Sequence, residues 1–206
     1  MNEITSITPQ IKDKRRCNIY VDGRFYCGLT LEATVKNRLK VGQVISPEKL
    51  AEIQLESEKN VAFDKALLHI SATQKTEKQV RTFLEGKGYL SCVVDYVIEK
   101  MRDYKFLDDA AYAESYVESA SKRKGGRLIR MELKSKGLAE DEIDEALLLL
   151  DEEKELATAS AILQKYMRGK TTQREDLQKA FRYLMGKGFS YETAKAAVSA
   201  LGDCEE

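Results

Sequence analysis

The chain has 206 residues, 43% hydrophobic and 33% charged, with two prolines and no tryptophan, a balance expected of a soluble, helix-rich protein with room for one domain or several small ones. Lysine plus arginine and aspartate plus glutamate both total 34, so net charge points to no class of partner and only the distribution of charge is informative. No apolar run approaches the roughly 18 residues of a membrane span, and Met1 leads into polar sequence and not a secretory signal, so a cytoplasmic protein without membrane contact is expected.

Residues 1–60 read as a small α+β extension. Residues 4–7, 17–21 and 24–29 have strand composition, and Asp22-Gly23 between the last two is a two-residue hairpin signal, so an antiparallel meander is predicted. Lys12, Asp13, Lys14, Arg15 and Arg16 fall in its first connection. A short helix is predicted over 31–39 and a strand fragment at Val44-Ile45; Ser46 then caps a helix that has Pro47 at its first position. The four cysteines, Cys17, Cys27, Cys92 and Cys204, show no CxxC or metal-ligand spacing, and His69 is the single histidine, so neither a zinc site nor a cofactor is expected. Cys17 and Cys27 flank the hairpin and are expected to be neighbours without a disulfide, which cytoplasmic chains seldom keep.

From residue 61 the sequence repeats. Aligned on Lys-Gly, Lys87-Gly88-Tyr89, Lys136-Gly137-Leu138 and Lys187-Gly188-Phe189 follow one another at steps of 49 and 51 residues. Seven residues before each lysine stand Val80, Ile129 and Ala180, and seven after stand Val94, Ile143 and Ala194. Apolar residues thus take the same helical positions on both sides of each glycine, the pattern of a repeated helix–turn–helix pair. The glycine ends the first helix in the left-handed conformation, and in a Schellman motif the next residue touches the side chain five positions back, which pairs Leu138 with Leu133. Helical segments over 61–71, 108–120 and 151–166 precede the pairs, so each unit is predicted to be three helices, too small to bury much surface unaided. The expected fold is mainly α: three tandem three-helix repeats at 61–107, 108–150 and 151–206, elongated, behind the small β-containing domain.

The most basic stretch is 122–136, where Lys122, Arg123, Lys124, Arg127, Arg130, Lys134 and Lys136 face a single acid, Glu132, for a net +6. A helix is predicted over 127–136, with Arg127, Arg130 and Lys134 on one face. Residues 137–155 hold nine acids and one lysine, net −8, and the third repeat has a second basic run, Lys165, Arg168, Lys170, Arg174, Lys179, Arg182 and Lys187 against two acids. Charged helix faces are ordinarily just solvated, and the acidic segment after Gly137 is placed to neutralise part of the stripe internally. The cluster Lys122-Arg123-Lys124 beside two glycines, followed by cations on one face, suits phosphates or an acidic protein surface. Candidate contacts are therefore Lys122, Arg123, Lys124, Arg127, Arg130, Lys134, Lys165, Arg168, Lys170 and Arg174. Tyrosines 104, 112, 116, 166 and 183 have base-stacking chemistry, but at helical spacing among Ala and Val they read as core.

Signs of catalysis are lacking: there is no GxxxxGK[ST], GxGxxG after a strand, GxSxG or HExxH. Asp108-Asp109 reads as a helix cap favoured by the helix dipole, and His69, between Leu67-Leu68 and Ile70, reads as structural. A non-enzymatic protein is expected.

The run from Phe106 to Leu147, with Phe106-Leu107-Asp108-Asp109, Tyr112-Ala113, Tyr116-Val117 and the segment 127–137, closely resembles the RecX family of recombination regulators, and the resemblance extends over about residues 62–201. At Gly126 the sequence departs from the family, which more commonly has proline there; proline presets a first helical turn, so this helix start is expected to be looser. The resemblance implies a regulator that binds the RecA recombinase filament on DNA and damps its ATP hydrolysis, strand exchange and co-protease function, in DNA repair and the SOS response, as a monomer with weak, non-specific affinity for single- and double-stranded DNA. The alternative is a repressor-like tandem helix-turn-helix protein, which needs Arg, Asn or Gln aimed at base edges. The segment 127–136 offers only Arg and Lys, which fits phosphate contact better.

Overall fold

A computed structural model describes residues 2–11 and 13–202; Lys12 and Cys204 lie outside the described residues. Three strands, β1 (Ile4–Pro9), β2 (Arg16–Val21) and β3 (Arg24–Thr30), form an antiparallel sheet in the order β1-β2-β3. Asp22 and Gly23 make the β2–β3 turn with φ of 48° and 78°, the two positive values that a primed hairpin turn requires. Alternation then turns Cys17, Ile19, Cys27 and Leu29 to one face, where they join Ile4 in a buried cluster. Cys17 and Cys27 are buried free thiols on neighbouring strands, and burial pushes the Cys27 thiol up to about 11. The Val44 fragment is a single bridge to Glu3. Helix α1 (Leu31–Lys36), capped by Thr30, stops short of the predicted residue 39, because Arg38 takes a φ of 51°.

Helix α2 (Pro47–Ser71) begins as its sequence demands, with the Ser46 hydroxyl accepting the Lys49 amide at 3.2 Å and Pro47 in the first turn. It then continues for 25 residues through position 60, where the first repeat was expected to begin, since no Gly or Pro interrupts the segment. Leu50 and Ile53 belong to the sheet's core, while Ala62 and Ala66 are buried farther along. With α3 (Glu77–Gly86) and α4 (Ser91–Asp103) the second half of α2 completes a first three-helix set. The second is α5 (Asp109–Ala120), α6 (Gly126–Ser135) and α7 (Glu140–Leu147); the third is α8 (Glu152–Met167), α9 (Arg174–Gly186) and α10 (Tyr191–Gly202).

Contacts divide the chain into two units, one of residues up to Thr73 with Val80–Phe106, the other of Gln74–Gln79 with residue 107 onward. In all three sets the positions aligned by the Lys-Gly register are fully buried: Val80, Ile129 and Ala180; Leu84, Leu133 and Leu184; Val94, Ile143 and Ala194. Each middle helix ends in a Schellman motif. The amide of Gly137 donates to Lys134 O at 3.0 Å and that of Leu138 to Leu133 O at 3.4 Å; Gly88/Tyr89 and Gly188/Phe189 bond Glu85/Leu84 and Met185/Leu184 in the same way. Leu133 and Leu138 sit together in the buried cluster of the second set.

Within the second unit these turns also receive the chain from the preceding set. Gly125 and Arg127, at the start of α6, donate their amides to Lys187 O and Gly188 O, both at 3.0 Å. Residues 74–79 approach the earlier turn likewise, with the Thr76 hydroxyl donating to Lys136 O at 2.7 Å and Lys78 Nζ to Ser135 O at 3.4 Å. A Cβ at Gly188 would fall within 3 Å of the Leu128 backbone, and one at Gly137 within 3 Å of the Lys78 side chain, whereas one at Gly88 would meet open space. All three glycines have φ between 84° and 94°.

Alanine at the three turns therefore separates strain from contact. Gly88→Ala is expected to cost only the left-handed strain, about 1–2 kcal/mol, and Gly188→Ala at least about 1 kcal/mol more because backbone must move. Urea unfolding of the three variants measures this, and equal losses at all three positions refute the docking contribution.

Candidate partner-binding surface

Helix α6 carries the basic stripe, and three local devices position it. Its amino end has no side-chain cap from Gly125; the Glu155 carboxylate of α8 accepts the Gly126 amide at 2.9 Å instead. That bond uses the N–H that proline would lack, so the start expected to be loose is held by a carboxylate 29 residues away. Its apolar side, Ile129 and Leu133, faces the cluster shared with Ala113, Val117, Leu138, Ile143 and Ala146. Its carboxyl end is the Gly137 turn.

The cations sort into two groups. Arg130 reaches across to α7, with Asp144 at 2.5 Å and Glu140 at 3.4 Å, and Lys134 pairs with Glu140. Lys124 bonds Glu132 at 2.5 Å, and Lys136 lies over the rings of Tyr112 and Tyr116. By contrast Lys122, Arg123 and Arg127 are exposed, with no carboxylate partner among the described residues. In the third set Lys165, Arg168 and Arg174 are likewise exposed without an ion pair there, and Lys170 Nζ lies 3.0 Å from the centroid of the Tyr166 ring. The acids after Gly137 do neutralise part of the stripe, and its effective positive surface lies at the amino end of α6.

Glu132, a lone acid in a basic run by sequence, joins this end of α6 to α5. It accepts from Lys124 and from the Tyr116 hydroxyl at 2.7 Å. Burial pushes the Tyr116 hydroxyl up to about 12, reinforced by its bond to Glu132. Burial acts to raise Glu132 as well, but the bonds from Lys124 and Tyr116 outweigh it and hold the carboxyl below its usual range. Helical periodicity does not signal this role, since Glu132 stands at i+8 from Lys124.

The acid pair serves as caps. Asp108 accepts the Ala111 amide at 2.8 Å at the head of α5, and Asp109 accepts the Glu77 amide at 2.9 Å at the head of α3. His69 stacks on Phe83 with centroids 4.0 Å apart, a structural contact. Tyr166 and Tyr183 stack on each other at 4.2 Å and are half-buried, as are Tyr112 and Tyr116, whereas Tyr104 is 58% exposed. Among the described residues no group of His, Cys, Asp and Glu is placed to hold a metal ion, and no helix is long and apolar enough to cross a membrane.

Comparison with known proteins adds the family. Three family profiles match: the "Regulatory protein RecX N-terminal domain" over residues 2–46, the "RecX, second three-helix domain" over 108–147 and the "RecX, third three-helix domain" over 152–198. A Clostridium tetani protein named "Regulatory protein RecX" is 33% identical over 205 residues, spanning 98% of this chain and 95% of its own. The chain belongs to the RecX family. A Bacillus subtilis protein of the same name is 31% identical over 96% of this chain and 76% of its own. A crystal structure of a regulatory protein RecX superposes with a TM-score of 0.71 at 28% identity, covering 95% and 98% of the two chains. RecX from Lactobacillus salivarius, at 24% identity and a TM-score of 0.65, shares the fold over 70% of this chain. The RecX relatives are named as regulators, and the mainly helical RecX architecture with its three-stranded sheet is the one described above.

Two measurements check this surface. Arg127→Glu is expected to leave stability within about 0.5 kcal/mol, while Arg130→Glu, facing Glu140 and Asp144, loses on the order of 1 kcal/mol, a modest figure because the pair is partly solvated. Equal melting temperatures for the two variants refute the α6–α7 clamp. Ultraviolet titration of the parent is expected to show a tyrosine ionising near pH 12 that is missing from Tyr116→Phe. Its raised value means that the bond's stabilisation is complete below about pH 10, and is lost as pH rises toward 12.

Proposed function

We propose that this protein binds the RecA recombinase filament on DNA and damps its ATP hydrolysis, strand exchange and co-protease function, acting in the cytoplasm in DNA repair and the SOS response. Membership of the RecX family along nearly the whole chain carries this reading. It works by occupancy and not by chemistry, in keeping with relatives named as regulators. The contact surface is centred on Lys122, Arg123 and Arg127, which keep their charge outside internal ion pairs, with Lys165, Arg168, Lys170 and Arg174 as a second basic region. Lys124, Arg130 and Lys134 contribute field, but their head groups are tied to Glu132, Glu140 and Asp144. DNA alone is bound weakly and without sequence preference, as expected where a few exposed cations meet phosphates.

A repressor-like reading is disfavoured by α7. In a helix-turn-helix pair the second helix enters the major groove, and in the middle set that helix, α7, opens with Glu140, Asp141 and Glu142, which phosphates repel.

The test is inhibition of single-stranded-DNA-dependent ATP hydrolysis by RecA. The parent is expected to inhibit, and Arg123→Glu combined with Arg127→Glu to need at least about tenfold more protein for half-inhibition, one decade being 1.4 kcal/mol of lost contact energy. Undiminished inhibition by that variant removes the amino end of α6 from the contact surface; no inhibition by the parent overturns the reading.

A further inference from the structure

The three sets are alike in register but not in what fills one pair of facing positions on their second and third helices. Six residues before the turn lysine and eight after it, the first set has Arg81 and Asp95, bonded at 2.5 Å, and the second has Arg130 and Asp144, also at 2.5 Å. The third has Phe181 and Lys195. Where the other sets bridge the two helices with an ion pair, α9 and α10 leave a groove of about 730 Å³. Phe181 and Tyr191 meet edge to face in it, with centroids 5.4 Å apart and planes at 75°, and Leu177 and Val198 complete its apolar lining. Tyr191 is 54% exposed.

Charge selects the occupant. Arg174, Arg182 and Lys195 also line the groove, all three exposed, and no carboxylate lines it. Neither Arg174 nor Lys195 has an ion-pair partner among the described residues. Cations around an apolar floor complement an apolar side chain flanked by carboxylates. Single-stranded nucleic acid fits less well, because successive bases need parallel ring faces and these rings stand at 75° with aliphatic residues beside them.

We infer that the α9–α10 groove of the third repeat docks an acidic segment of a partner protein, seating an apolar side chain between Phe181 and Tyr191 and its flanking carboxylates on Arg174, Arg182 and Lys195. This rests on the proposed function for the partner's identity, but the groove's chemistry stands on this chain alone.

The chain supplies its own test. Phe181→Arg with Lys195→Asp transplants the ion pair of the first two sets and closes the groove in a way this fold already uses twice. Binding to RecA filaments preassembled on circular single-stranded DNA, read by co-sedimentation, is expected to weaken at least tenfold; an unchanged Kd with intact helical signal overturns the inference. Should the double variant lose its helical signal, Tyr191→Glu, which places an acid where the second set has Glu140, gives the same reading from an exposed position. A parallel titration with oligo(dT) in the absence of RecA is expected to leave parent and double variant equal, and a matching loss there assigns the groove to nucleic acid and overturns the acidic-segment reading. If the parent does not bind filaments at all, the proposed function fails separately. The groove is then read by amide shifts of Tyr191 and Val198 with an acetylated peptide of alternating glutamate and leucine. Shifts in the parent that vanish in the double variant uphold it, and their absence from the parent overturns it.

Discussion

Where the amide of Arg127 meets the carbonyl of Gly188 at 3.0 Å, two stretches of backbone touch with no side chain between them. That approach is possible only because both sides are bare: Gly125 on one and Gly188 on the other have Cβ positions already occupied by the opposite chain. A three-helix set of about 50 residues buries too little surface to be stable alone, so each needs its neighbour. Here the need is met by the same glycine that ends the middle helix. One residue type thus serves the Schellman closure, which requires a positive φ, and the docking, which requires the missing side chain.

The distribution of charge follows from this arrangement. Because the Gly137 turn folds the acidic α7 back beside α6, Arg130 and Lys134 are held by Asp144 and Glu140, and the net charge of +6 on the sequence overstates what a partner meets. Lys124 is drawn toward Glu132 in turn. What stays available lies just ahead of α6 and in its first turn, beside the Gly125 that docks on the next turn, and the third set adds its own cations without a comparable acidic partner helix.

Much of this was legible in the sequence. The Lys-Gly spacing and the apolar positions around it predicted three helix–turn–helix pairs, and those positions are buried; Asp22-Gly23 predicted the hairpin, and Ser46-Pro47 the start of α2. The end of α1 at Lys36 and the unbroken run of α2 through residue 60 were not legible. The first is set by a left-handed Arg38 that no residue propensity signals, the second by the lack of any helix breaker, which a reading based on repeats passes over. Of the candidate surface, the residues were visible but not their partners. Glu155 capping α6 and Glu132 holding Tyr116 join positions 29 and 16 apart, distances that helical periodicity does not relate. The groove on α9 and α10 was hidden because Phe181 at a helical position reads as core until the ion pairs of the other sets are set beside it.

Within the second unit, the docking of a helix start on the next turn has a direction. A contact between unlike surfaces does not close on itself and in principle admits a further copy at either end. At the leading end the Gly88 turn is of the receiving kind, with open space where a Cβ would go. In the third set, α9 begins three residues earlier in register than α6 and places Asp176 where α6 has Gly125, with its carboxylate bonded to Thr171. The third copy lacks the bare backbone with which the second docks. Thr76, at the same register position of the first set, reaches the Gly137 turn through its side-chain hydroxyl instead, so among these helix starts α6 alone docks by bare backbone.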